Sequence, residues 1–271
     1  MFEPRPLSPD LETVRGAYAP DAAVLDCVRD FETLEPAAAE QLGLIADQLD
    51  PFAAPDEWLP ADAPEMLRRY AGDEFTVGLP GDGGVAWTRQ TVPPTIIVKP
   101  RLEGSPDSFV DFLVAEALVE TDVAPAESFL GFFGAHYPEL AAATPLSPAD
   151  TYQLATALDT AYVGRLTRPV FEAWGETNGG DSDHPQLPAL HDAWVDAGER
   201  LQPRLNGLPG EVAHGETGFA AAAELACAAL KHGLDLPDPF AALDTGAYER
   251  NGPAFAVRWA EKTFDALARS E

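Results

Sequence analysis

Hydrophobic positions recur at helical spacing along most of this chain and alternate in only one short stretch. Leu11, Val14 and Tyr18 share one helical face, opened by Ser8 as N-cap with Pro9 in the first turn. Val24, Val28, Phe31 and Leu34 make a second such stripe, and Leu42, Ile45 and Leu49 a third, so two further short helices are predicted. Pro51, Pro55 and Pro60 then interrupt the pattern. Asp62 is positioned to cap a brief helix carrying Leu67 and Tyr70, which Gly72 ends.

The strand signals come next. Residues 74–79 and 85–92 alternate around Gly81-Asp82-Gly83-Gly84, which reads as a hairpin turn, and residues 95–99 supply a third strand after Pro93-Pro94. Such a small meander needs a helical layer on one face, because an isolated hairpin is marginal in water. From Ser105 the period is helical again. Ser105-Pro106-Asp107 opens one helix that runs to Glu120, and a second carries Phe129, Phe132, Phe133 and Tyr137, at core spacing, before Pro138 stops it. A third begins at Ser147-Pro148-Ala149-Asp150 and runs to Tyr162 or Arg165. Shorter helical pieces are predicted over 168–175 and 189–205, with an exposed loop over 178–188 between them. Residues 219–231 are alanine-rich and apolar almost all round, which places them in a core, and residues 253–268 make the last helix.

The predicted fold class is mainly α (α+β): a helical domain with a small antiparallel β-meander around residues 74–99. With 271 residues and 46% hydrophobic content the chain can bury one substantial core, so residues 1–271 are expected to form a single domain. The alternative is a subdivision into residues 1–104, short helices plus meander, and residues 105–271, a helical bundle. No run approaches the ~18 apolar residues of a membrane-spanning helix. The opening Met1-Phe2-Glu3-Pro4-Arg5-Pro6 lacks the basic flank and apolar stretch of a secretory signal, which predicts a cytoplasmic protein without membrane association.

Charge changes the picture most. The formal net charge is −28, from 45 acidic and 17 basic residues. For a sphere of radius ~24 Å the self-repulsion is roughly 17 kcal/mol at 0.15 M salt and about 8 at 1 M. An expanded chain relieves only part of this, yet the difference is large beside a typical net stability of ~5–15 kcal/mol. The carboxylates are dispersed, without the block of like charges that marks a disordered tail. Lys99, Lys231 and Lys262 are the only lysines, so arginine carries nearly all the positive charge. These features predict a halophilic protein that folds in concentrated salt. The lack of a basic footprint argues against nucleic-acid binding.

Candidate chemistry is sparse. The run from Gly78 to Gly84 lacks the Gly-Lys-Ser/Thr and following helix of a phosphate loop. Cys27 and Cys227 sit among apolar neighbours and read as buried free thiols, although sequence leaves a disulfide between them open. His136, His184, His191, His214 and His232 show no zinc-ligand spacing, so no metal site is predicted. Glu116 and Glu120 share a helical face, but the Glu-x-x-His pairs of a bundle metal site are missing. Glu224, one turn from Ala220, Ala221, Cys227 and Ala228, is a candidate buried acid, with an arginine from another helix as its expected partner.

The best ligand candidate is a local excess of cations, five within 34 positions: Arg68, Arg69, Arg89, Lys99 and Arg101. If their side of the sheet is not the core, Arg89 and Trp87 could hold a planar anion by a charged fork plus stacking, with Lys99 and Arg101 nearby. The competing expectation pairs these cations with Asp73, Glu74 and Glu103 as structural braces.

The stretches Phe75-Thr76-Val77-Gly78 through Trp87-Thr88-Arg89-Gln90, Lys99-Pro100-Arg101 through Phe109-Val110-Asp111-Phe112, and Glu224-Leu225-Ala226-Cys227 resemble a haloarchaeal protein family of unknown function. The resemblance covers most of the chain. It implies a haloarchaeal, cytoplasmic origin and carries over no activity, ligand or functional residue. The functional expectation is a non-catalytic binding or adaptor protein that presents a groove or surface to a protein partner and needs no cofactor. The alternative is an enzyme or small-anion-binding protein using the Arg89, Lys99 and Arg101 region. That alternative requires a concave pocket where at least two of these cations converge without carboxylate partners.

Overall fold

A computed structural model of the chain describes residues 1–44, 46–78, 83–176 and 185–270. The chain opens with β1 (Phe2–Pro4), α1 (Pro9–Tyr18) and β2 (Ala23–Cys27), then β3 (Thr33–Leu34), α2 (Pro36–Gln41) and β4 (Gln48–Leu49). Helix α3 (Glu65–Tyr70) leads into β5 (Phe75–Thr76), β6 (Val85–Thr88), β7 (Thr91–Val92) and β8 (Thr95–Val98). The rest is helical: α4 (Asp107–Val123), α5 (Phe129–Phe133), α6 (Tyr137–Ala142), α7 (Pro148–Ala173), α8 (Pro188–Ala213), α9 (Phe219–Leu230) and α10 (Gly246–Ser270). The fold is α+β, as the periodicity predicts. Among the described residues no helix is long and apolar enough to cross a membrane.

The described chain forms two compact units, each built from three segments. The first holds Met1–Ala53, Arg69–Glu127 and Pro169–Trp194. Its centre is a four-stranded sheet in the order β1-β2-β8-β6. Strand β6 runs antiparallel to β8, with Val85 opposite Val98 and Thr88 opposite Thr95. Strand β2 runs parallel to β8, pairing Val24 with Ile96. The period-2 alternation of side chains feeds two cores. Val24, Ile96 and Val98 join Leu11 and Val14 of α1 and Phe112 and Leu118 of α4. Leu25, Ile97 and Ala86 join Phe2, Phe75 and Val77. Strand β8 is buried at all four positions, which is why Ile96, Ile97 and Val98 follow Thr95 without polar alternation.

Three expectations are corrected here. The stripe of Val24, Val28, Phe31 and Leu34 is not a helix. Its first part is β2, because Ala23-Val24-Leu25-Asp26-Cys27 also fits period 2 and β8 offers it a pairing edge. The stripe of Leu42, Ile45 and Leu49 is not a helix either: Leu42 follows the end of α2, Leu49 lies in β4, and Ile45 lies outside the described residues. Within the predicted meander β6 and β8 pair antiparallel as expected, but its other strands pair elsewhere: β5 with β3, placing Phe75 opposite Leu34, and β7 with β4, each in a separate two-stranded sheet. Of the predicted hairpin turn, Gly81 and Asp82 lie outside the described residues, as do residues 178–184 of the predicted loop.

The second unit holds Ala54–Arg68, Ser128–Arg168 and Val195–Glu271. The aromatic stripe is core, as expected: Phe129 meets Tyr137 at 5.1 Å between centroids and Phe132 meets Tyr162 at 4.9 Å. Ala222, Ala223, Ala226 and Cys227 bury one side of α9. Both cysteines are buried free thiols. Pro138 does not stop a helix but stands in the first turn of α6, where its missing N–H costs nothing. Helix α7 continues through Pro169 and joins the two predicted pieces, and α8 extends through Pro203 and Pro209 to Ala213. The last helix begins at Gly246 and kinks at Gly252, whose φ of 46° and ψ of −125° are non-helical, so Pro253 starts a new first turn. Arg165 and Arg168 both donate to Asp244, and Arg165 also donates to Glu249 at 3.1 Å.

Candidate functional site

Of the five predicted cations, Arg69, Arg89, Lys99 and Arg101 lie in the first unit and Arg68 in the second, and the fold engages each of them. Arg89 follows β6 and reaches the end of α4. Its Nε and Nη2 donate to the Thr121 carbonyl at 3.0 and 2.8 Å, and Nη2 donates to the Ala124 carbonyl at 2.6 Å. The last carbonyls of a helix lack intrahelical donors and carry the negative end of its dipole, so a guanidinium fork there completes the helix. The guanidinium carbon sits 4.9 Å from the Trp87 ring centroid, and the Trp87 indole donates to Glu120 at 2.9 Å. Arg89 itself thus stacks on Trp87, and its fork meets backbone carbonyls where the sequence suggested a planar anion. Glu127 closes the corner, accepting from the Arg89 backbone N–H at 2.9 Å and from Gln90 at 3.0 Å.

Lys99 and Arg101 converge elsewhere, on Asp30. Arg101 donates from Nε and Nη2 to Asp30 at 3.0 and 2.7 Å, and Lys99 Nζ stands 3.7 Å from the same carboxylate. Arg101, then Lys99, hold the Asp30 carboxyl below the usual carboxylate range against its partial desolvation. The Lys99 side chain is 1% exposed, and its ammonium donates to the carbonyls of Phe31, Val77 and Gly78 at 2.9, 3.3 and 3.3 Å. Gly78, at φ +68°, leaves room for this cage: a Cβ there would stand 2.8 Å from Nζ. Asp30, about seventy positions upstream, is thus a partner that both cations share. Glu74 instead receives Arg69 at 3.1 Å. Arg68 donates to the carbonyls of Ala61 and Ala63 at 2.9 and 3.2 Å.

Beside Lys99 a cavity of 380 Å³ opens at the C-terminal ends of the parallel strands β2 and β8, lined also by Arg5, Asp26, Cys27 and Asp107. Arg5 pairs with Asp26 at 2.7 Å. The Cys27 thiol donates to the Arg29 carbonyl at 2.6 Å, and burial pushes its pKa up, away from thiolate chemistry. Glu116 is buried, and Glu120 serves Trp87. Glu224 corrects the expectation of a buried acid. It is exposed and accepts from Gln153 at 2.5 Å, because α9 turns that position outward while Ala222, Ala223 and Ala226 face the core. His184 lies outside the described residues. Among those described, no group of three or more histidine, cysteine, aspartate or glutamate side chains could hold a metal ion.

A different site was missed by sequence reasoning. In the second unit a groove of 440 Å³ runs between the turn at Pro239 and Ala242 and the side of α10. Phe255, Arg258, Trp259, Lys262 and Ala266 line it. Their spacing of i, i+3, i+4, i+7 and i+11 is a single helical stripe. Trp259 is 6% exposed and forms the floor, fixed by its indole donating to the Pro239 carbonyl at 3.0 Å and by Phe240 at 5.9 Å. Arg258 and Lys262 are exposed and, among the described residues, make no ion pair or side-chain hydrogen bond. One carboxylate, Asp238, lies on the facing wall. The available signal was the placement of two cations one turn apart on a helical face whose other members are Phe255, Trp259, Thr263 and Ala266.

No curated protein and no solved structure matches the chain. Its membership rests on sequence along nearly its full length: residues 1–267 match DUF7089, a family of unknown function, and the chain belongs to that family.

Proposed function

We propose that this is a non-catalytic binding protein of a salt-rich, haloarchaeal cytoplasm, and that it takes a partner in the groove along α10. One observation carries the reading. An apolar groove floored by Trp259 and Phe255 is bordered by two unengaged cations on a chain with 45 acidic residues. Pockets of a few hundred Å³ with a largely apolar lining and a few placed polar groups are the usual form of a binding site. The salt-rich setting is supported by the charge of −28, the scarcity of lysine and the resemblance to haloarchaeal sequences.

The alternative, an enzyme or anion-binding protein acting through Arg89, Lys99 and Arg101, has less support. Lys99 and Arg101 share a carboxylate, and Arg89 serves the end of α4. Ala242 is exposed on the groove wall, so Ala242→Trp fills the groove without entering the core. In multimolar KCl the parent chain should retain a defined partner that the filled variant, with unchanged circular dichroism, releases. Equal retention by both would exclude the groove as the binding element.

A further inference from the structure

We infer that the groove accepts an acidic amphipathic helix, laid along α10 so that its carboxylates meet Arg258 and Lys262; this rests on the groove being the binding element. The shape comes first. The lining stripe from Phe255 to Ala266 spans eleven residue steps, about 16 Å of helix at 1.5 Å per residue. A trough of that length between a helix and a turn suits an elongated partner. Helix-in-groove recognition reads such a surface through apolar anchors at i, i+3, i+4 and i+7.

The chemistry narrows the partner. Trp259, Phe255, Pro239 and Ala242 offer apolar contact at the centre, and the two cations stand one helical turn apart at its border. Residues four apart on a helix hold their side chains about 5–6 Å apart at Cβ. A partner helix with two carboxylates at the same spacing meets both cations at once while its apolar face fills the trough. Asp238 on the facing wall disfavours a second pair of carboxylates there, so the acidic border belongs on the α10 side.

The overall charge of −28 does not forbid an acidic partner in the proposed setting. At 1 M salt the Debye length is about 3 Å, so distant carboxylates are screened and charges at contact decide. Arg258 and Lys262 are the cations at contact. In dilute salt the same repulsion would act at long range.

The test uses the full chain in multimolar KCl and a dye-labelled synthetic helix with a leucine face bordered by glutamates one turn apart. Fluorescence anisotropy should show saturable binding. The same helix with glutamines should bind several-fold more weakly. Reversal of both cations, Arg258→Glu with Lys262→Glu, should weaken the glutamate helix by about tenfold or more, since like charges then face each other. A lysine-bordered helix should bind the reversed protein better than it binds the parent. Both substitutions lie at exposed positions, and circular dichroism checks that the variant is folded.

The inference is overturned if no helix binds, if glutamine and glutamate helices bind alike, or if charge reversal leaves binding unchanged. It is also overturned if dodecanoate occupies the groove in the helix's place, or if sedimentation shows that this face pairs two copies of the chain. Loss of partner retention in Ala242→Trp alongside any of these outcomes would leave the groove as a binding element and remove only the acidic helix.

Discussion

Arg89 has a side chain suited to recognising an anion, and the fold spends it on two carbonyls. The guanidinium bridges Thr121 and Ala124 while stacking on Trp87, so β6 and the end of α4 are joined by one residue. Removing it leaves carbonyl acceptors and a helix terminus without their donor, a loss of about 1–3 kcal/mol. Arg89→Ala should therefore lower the unfolding free energy by that amount, read as a fall in the denaturant midpoint at constant slope. Arg89→Lys should recover only part, since an ammonium cannot reproduce the planar fork. What the sequence showed here was the chemistry of the pair, a cation beside an indole. Its target was hidden because Thr121 and Ala124 stand more than thirty positions away and offer only main-chain oxygens. Asp30 was hidden in the same way: a carboxylate among 45 carries no mark until the chain brings Lys99 and Arg101 to it.

At the scale of elements, legibility followed the length and consistency of each pattern. Helices α1, α4 and α9 were predicted close to their observed bounds because period and burial agree, with the Ser8 cap adding to them in α1. Strand β8 was found because three β-branched apolar residues after Thr95 fit a strand buried on both faces. Strand β2 was misread because five residues fit either period, and its parallel pairing with β8 is settled by residues seventy positions apart. The α10 stripe was predicted as helix but not as a site, since a cation on an exposed helical position is ordinary until a wall forms opposite it. The kink within α10 gives a further prediction. An added Cβ at Gly252 would find its nearest neighbours, in Phe132 and Tyr162, at 3.7 Å, an ordinary contact. Gly252→Ala should therefore cost mainly the backbone strain of φ 46° with ψ −125°, a region side chains rarely adopt, about 1–3 kcal/mol, measured by chemical denaturation.

At the scale of the whole chain, charge outweighs any single contact described above. Roughly 17 kcal/mol of self-repulsion at 0.15 M salt, halved at 1 M, exceeds the contribution of any one cap or ion pair. Dialysis into millimolar buffer should abolish the far-ultraviolet helical signal and the cooperative melt, and returning KCl should restore both. Full helicity with an unaltered melt in dilute buffer would contradict the halophilic reading. The buried contacts should be the least salt-sensitive part of the protein, because ions reach exposed charges far more readily than enclosed ones.

The lysine cage imposes a limit on how far such a composition can go. Elsewhere an arginine can stand in for a lysine on an acidic surface at little penalty. The ammonium of Lys99 sits among three carbonyls in a space that a glycine keeps open, and a flat, wider head group has no room to turn there. Exchange of lysine for arginine, free to proceed at an exposed position such as Lys262, stops at this one.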